Sequence, residues 1–256
     1  MNEITINSFI DYLSYVEKNY TRNHIFRGMN HLDYLLVPKI GREPYVARCQ
    51  AKSIVDDLQD MEEQIMNEFI KMSVPYMDLR NISTWDQWTI GQHHGLPTRF
   101  LDWTENPLIA AYFATENSNG NDVAVYVVDK TQFNSNTADV LDVFSLADED
   151  DVVLYAPSYI HPRIIAQKGV FTVHKNPTVP LDKTKINNEF CAVDKLIIPN
   201  NIIKDFVNYC LERRNLSTDT QTYIDLKSIE DRKDGYEYIA YSPSELMGKK
   251  KNKNKE

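Results

Sequence analysis

The sequence predicts an α+β fold in which a helical N-terminal half packs on a mainly antiparallel sheet. Three observations lead there. Apolar residues at spacings of three and four dominate the first half, β-branched runs bounded by turn residues crowd the stretch from Asp122 to Pro199, and no repeat of fixed period organises the chain. With 256 residues, 42% hydrophobic and 11% aromatic, the chain can bury a proper core. A single domain over residues 1–245, followed by a solvated basic tail at 246–256, is the expected organisation.

The elements follow in order. SFIDYLSYVEKN places Phe9, Leu13 and Val16 at helical spacing behind Ser8, an N-cap residue. HIFRGM is short and apolar around a charge, which suits a strand end or the start of a loop. DYLLVPKIGREP is broken by Pro38, Gly41 and Pro44. From Tyr45 to Met72 no Gly or Pro interrupts Ile54, Leu58, Met61, Ile65, Phe69 and Met72, so this is one long amphipathic helix or two short ones. Pro75 stops it. STWDQWTIGQHHG reads as a short helix running into a loop, and residues 91–114 as a loop, a short extended segment and a helix opened by Asn106-Pro107. DVAVYVVD is a buried strand bounded by NSNGN. A second strand spans Val170 to His174 after Gly169, and CAVDKLIIP supplies a third. IIKDFVNYCLERRN is a helix ended by Asn215, and QTYIDLKSIEDRKDGYEYIAY closes the fold.

Composition removes several function classes. The net charge of −9 argues against broad contact with nucleic-acid phosphates, which basic residues drive. GKKKNKNKE is the one basic run, and it has no apolar residues. No apolar run approaches the roughly 20 residues of a membrane-spanning helix, and MNEITINSFIDYL lacks the basic flank and apolar core of a signal peptide. Cys49, Cys191 and Cys210 form no Cys-x-x-Cys pair, which suggests neither a disulfide framework nor a zinc site. The expectation is a cytoplasmic protein. Eight glycines make neither G-x-x-x-x-G-K-[ST] nor G-x-G-x-x-G, and G-x-S-x-G and H-E-x-x-H are absent too. His93 and His94, as neighbours, point apart on any regular element, so no metal is expected.

Three polar clusters interrupt apolar surroundings: Phe26-Arg27-Gly28, Gln92 to Thr104, and Arg163 to Phe171. Arg27 suits an ion pair with one of the 37 acidic residues or, through its planar fork, a phosphate. Gly28 beside it lets a ligand approach the backbone. Asp102 reads as an N-cap of the following helix, as a partner for Arg99, or as a functional carboxylate. Trp103 reads as core more readily than as a ligand stack.

These blocks resemble the FRG domain family, named for its Phe-Arg-Gly triplet. Phe26-Arg27-Gly28, GQHHGLPTRFLDWTENPLIAAYFA, RIIAQKGVF, DKLIIP and QTYIDLKSI carry the resemblance over residues 20–230. Gln92-His93-x-Gly95-Leu96-Pro97-Thr98-Arg99-x-Leu101-Asp102-Trp103-Thr104 is its most specific stretch. The order of blocks also resembles, more weakly, the arginine-type mono-ADP-ribosyltransferases. That family sets an aromatic-Arg-Gly strand first, a Ser-Thr-Ser strand leading into a helix second, and a loop and strand with a catalytic glutamate third. The resemblance implies an ADP-ribosyltransferase-like fold and an enzyme that binds NAD and transfers or hydrolyses ADP-ribose. Arg27 would clamp the pyrophosphate, and Trp103 or His93 would meet the nicotinamide. Phe26, Gly28, Gln92, Thr98, Arg99, Thr104 and Arg163 would line the ligand. The Ser-Thr-Ser and Glu-x-Glu patterns are absent here, and Gln167 stands where an acid would be. Asp102 or Glu189 would then supply the negative charge. The alternatives are a non-catalytic sensor of a nucleotide or other phosphate-bearing molecule, and a protein-interaction module in which Arg27, Arg99 and Asp102 merely pair.

Overall fold

In the computed structural model, the helix expected behind Ser8 runs Phe9–Asn19 (α1), and the Ser8 hydroxyl accepts the Asp11 amide at 3.1 Å. The structure describes residues 1–51, 57–77, 79, 82–135, 142–146, 151–158 and 167–216. The expected closing segment, 221–241, and the basic tail lie outside the described residues. Before α1 comes a strand with no sequence signal, Asn2–Thr5 (β1), which is mostly exposed and owes its conformation to its pairing partner.

Among the described residues, the stretch expected as one helix or two holds Glu43–Ala51 (α2) and Leu58–Ser73 (α3), the second capped by Asp57. Thr84–His93 (α4), Pro107–Thr115 (α5) and Ile203–Leu216 (α6) follow the sequence reading, α6 running one residue past Asn215. Asn106 caps α5, its side-chain oxygen accepting the Leu108 amide at 2.9 Å, with Pro107 in the first turn. There its missing N–H costs little.

Among the described residues, seven strands form one sheet. HIFRGM is no strand end: it is a full strand, His24–Met29 (β2), well inside the sheet. Phe100–Thr104 (β3), Val123–Asp129 (β4), Val152–Tyr155 (β5), Gly169–His174 (β6) and Asp194–Ile198 (β9) complete the set with β1. The order is β1-β9-β4-β2-β3-β6-β5, antiparallel throughout except for the parallel β1/β9 edge. Lys185–Ile186 (β7) and Glu189–Phe190 (β8) make a separate hairpin. Asn187 and Asn188, both at positive φ, turn it, and asparagine tolerates that conformation well.

Both faces of the sheet are packed. Phe26, Val125, Val127 and Leu196 meet α1, α5 and α6 through Phe9, Ala110, Ala114 and Phe206. On the other face Ile25, Met29, Leu101, Trp103 and Tyr126 join Leu36 and Leu181. A third cluster brings Met66 of α3 and Trp85 and Trp88 of α4 against Phe100, Tyr155 and Phe171 at the β3-β6-β5 end. Gly28 sits where β2 meets α5: a Cβ there would strike the Ala110 carbonyl oxygen and lie 2.6 Å from the Ala114 amide nitrogen. The glycine of the Phe-Arg-Gly triplet is therefore a packing requirement.

One junction in the sheet is open. β2 pairs with β4 from His24↔Asp129 to Met29↔Ala124, and β3 pairs with β6 from Phe100↔Val173 to Thr104↔Gly169. Between β2 and β3 the only paired position is Phe26↔Thr104. Beyond it the two strands part, and a cleft opens.

Candidate functional site

Where strands part inside a sheet, backbone groups lose their ladder partners and must find others. Arg27 provides one. Its Nη1 donates to the Asp102 carbonyl oxygen at 2.6 Å across the gap and stands 3.6 Å from the Asp102 carboxylate. The two side chains differ in access: Arg27 is 14% exposed and Asp102 61%. The pair thus forms a held guanidinium with an open carboxylate above it. They lie on the wall of a cleft of about 1740 Å³, larger than the roughly 300–1,000 Å³ typical of a small-molecule pocket.

Most of the residues singled out in the sequence meet here. Phe26, Arg27, Gly28, Gln92, His93 and Asp102 line the cleft, as do Trp103, Thr104 and Gln167. The GQHHG run explains itself at the end of α4. The amides of His94, Gly95 and Leu96 bond back to Ile90, Gln92 and Gly91, and Gly95 takes φ +90°, a conformation suited to glycine. His93 is thereby left on the cleft, while His94 lies against the Phe69 ring of α3, its pKa lowered by burial. Gln92 accepts the hydroxyl of Thr98. Thr104 donates to the Gln167 carbonyl at 2.5 Å and accepts the Asn106 amide, tying β3 to the turn before β6.

Trp103 is mainly a core residue. Its ring is buried and its indole N–H donates to Thr172 at 3.0 Å, while Thr172 also bonds His174 Nε2 at 3.0 Å. His174 is fully buried, and burial, with the nearby charges of Arg99 and Arg27, drives its pKa down to about 3. It is a neutral core imidazole.

Three expected site residues do not join. Arg99 is 4% exposed and pairs with Glu62, which is 0% exposed. Glu62 accepts both the Arg99 amide at 2.6 Å and its Nε at 3.0 Å, and the guanidinium also reaches the Lys175 carbonyl and covers the Phe144 ring. Arg99 is therefore a buried structural arginine and not the partner of Asp102. Burial raises the Glu62 carboxyl to about 7 against the opposing pull of Arg99. Thr98 is fully buried behind Gln92. Glu189 is exposed on the β7–β8 hairpin, away from the cleft wall, and so does not supply a charge there. Arg163 lies outside the described residues. Asp102 is not the α5 cap, because Asn106 is.

The sequence reading missed Lys39. Its ammonium donates to the Gly95 carbonyl at 2.7 Å on the cleft wall. Burial lowers its pKa, nearby Arg42 lowers it further, and Asp102 opposes both. The signal available was slight: one lysine between Pro38 and Gly41, with nothing in its spacing to join it to Asp102. Among the described residues, no three His, Cys, Asp or Glu side chains group to hold a metal ion, and no helix is long and apolar enough to cross a membrane.

Residues 22–123 match the FRG domain family, a span that runs from the turn before β2 to the start of β4. β6, β9 and their loops lie beyond the matched span. No curated protein and no solved structure matches the chain.

Proposed function

From the premise that residues 22–123 are an FRG domain, we propose that its cleft binds a phosphate-bearing nucleotide, with NAD as the ligand, and cleaves the nicotinamide bond. The observation that carries this reading is the meeting of Arg27 and Asp102 where β2 and β3 part. A guanidinium presents a planar fork of donors matched to phosphate oxygens, and the bond to the Asp102 carbonyl fixes its orientation in advance. The Asp102 carboxylate, free to face the cleft, suits an oxocarbenium-like sugar. As the C1′–N bond breaks, its electron pair leaves with nicotinamide and positive charge grows on the ribose, where a fixed anion lowers the barrier. Water or an acceptor nucleophile then forms the new bond at C1′ and gives up its proton.

One feature favours a second reading, a nucleotide sensor without turnover. Gln167 lines the cleft at the place where the transferase resemblance expects an acid, and a carboxamide carries no charge. The interaction-module reading loses part of its basis, since Arg99 pairs with Glu62.

Calorimetry with NAD, alongside chromatographic detection of released nicotinamide, tests the proposal. The parent should bind and release. Arg27→Lys should bind more weakly, and Asp102→Asn should still bind while release falls roughly 100-fold or more. Binding without release in the parent selects the sensor. Absence of NAD binding ends the nucleotide reading.

A further inference from the structure

Tyr34 and Leu35 are 53% and 63% exposed, yet they stand on the wall of the cleft, side by side. A lone exposed leucine needs no explanation, but an adjoining tyrosine and leucine facing a cleft do. Their exposure does not come from a slack loop. The next two residues, Leu36 and Val37, are buried at 1% and 5%, and the Leu36 carbonyl accepts the Leu181 amide at 3.0 Å. The Tyr126 hydroxyl reaches the Tyr34 carbonyl at 3.4 Å, and the Asp33 amide donates to His31 at 3.2 Å. The Asn30 side chain donates to the Asn117 carbonyl at 3.0 Å, tying the start of the loop to the end of α5. The His31 ring lies 5.3 Å from that of Tyr34 with planes 31° apart, which steadies the tyrosine. A fixed loop therefore holds out an apolar shelf, with Asn30, Asn117 and Asn119 lining the same cleft.

We propose that this shelf takes the adenine base of the dinucleotide, with Tyr34 stacked on the ring and asparagine amides facing its edge. The inference rests on the nucleotide reading above. The shelf belongs to the β4 side of β2, where Tyr126 meets the Tyr34 carbonyl, whereas Asp102 is on β3, on the other side of Arg27. Nicotinamide must lie by Asp102 for its bond to break, so the base on the opposite bank is adenine. An aromatic ring suits any base, and amide groups can both donate to and accept from a purine edge. A shelf already in place loses little freedom on binding.

The test measures the affinity of the full-length protein for NAD, ADP-ribose and inorganic pyrophosphate, with Tyr34→Ala and Tyr34→Phe compared by calorimetry. Tyr34→Ala should weaken NAD and ADP-ribose roughly 5- to 150-fold and leave pyrophosphate unchanged. Tyr34→Phe should keep the parent's affinities. Melting temperatures verify folding, which an exposed side chain scarcely affects. ADP-ribose bound by Tyr34→Ala as tightly as by the parent overturns the shelf and spares the nucleotide reading. Equal losses for ADP-ribose and pyrophosphate also overturn it, because the ring would then be shaping the pocket as a whole. A parent that binds neither NAD nor ADP-ribose overturns both.

Discussion

Replacing Arg99 with methionine separates a structural arginine from a ligand-binding one. The change keeps most of the apolar stem but leaves Glu62 fully buried with its guanidinium gone, holding only the residue-99 amide. Breaking a buried pair from one side costs about 3–5 kcal/mol, since the surviving charge has neither water nor partner. For a chain of this size, about 2–4 °C of melting temperature goes with each kcal/mol, so the expected fall is roughly 6–20 °C. The penalty should be larger at pH 8 than at pH 5: the carboxyl already titrates near 7 because of burial, and without Arg99 it takes up a proton more readily still, relieving the buried charge. Differential scanning fluorimetry at the two pH values measures both effects, and calorimetry on the folded variant below its melting point should show nucleotide affinity close to that of the parent. Arg99→Met melting within about 2 °C of the parent while losing nucleotide binding would refute the structural assignment and return Arg99 to the cleft.

Glu62→Gln should change the pH dependence of stability. Folding raises this carboxyl from 4.5 to about 7, so between those values the native state holds a proton that the unfolded chain has released. Stability from this group is therefore full below about 4.5 and declines as pH rises to about 7, and Glu62→Gln should remove that slope in urea titrations. Gly28→Ala forces a methyl into the α5 backbone, and chemical denaturation should show a loss of about 1–3 kcal/mol or more. Lys39→Met removes a cleft ammonium and should weaken NAD and pyrophosphate binding by roughly 10- to 150-fold, on the order of one charge-assisted hydrogen bond, without a comparable fall in melting temperature.

The periodic elements were legible because each carries its own local cause. Ser8 and Asn106 cap helices through side-chain oxygens a few bonds from the amides they accept, and the β-branched run of β4 is buried on both faces. The misses have non-local causes. β1 is a strand only because β9 lies beside it, and VVLY of β5 is four apolar residues that gain a partner in β6. HIFRGM looked interrupted by its arginine, yet that charge sits where the neighbouring strand has moved away. Lys39 and Gly95 are brought together by a turn on one side and a helix end on the other. No spacing rule joins them.

Residues 91–114 hold many polar side chains because the stretch crosses several boundaries of the fold. Most of the stretch serves one boundary or another. Gly95 ends α4, and Thr98 braces Gln92 from behind. Arg99 is drawn inward to Glu62 on α3, fastening the helical half to the sheet. Asn106 starts α5. Asp102 is the exception: its backbone carbonyl holds Arg27, but its carboxylate, 61% exposed and 3.6 Å from that guanidinium, completes no cap and no core pair. A folding role accounts for Gly95, Thr98, Arg99 and Asn106, whereas His93 and Asp102 stand on the cleft wall, and of those two Asp102 is the carboxylate. This is the reason Asp102, and not Gln167 or Glu189, is assigned the charge in the proposed reaction.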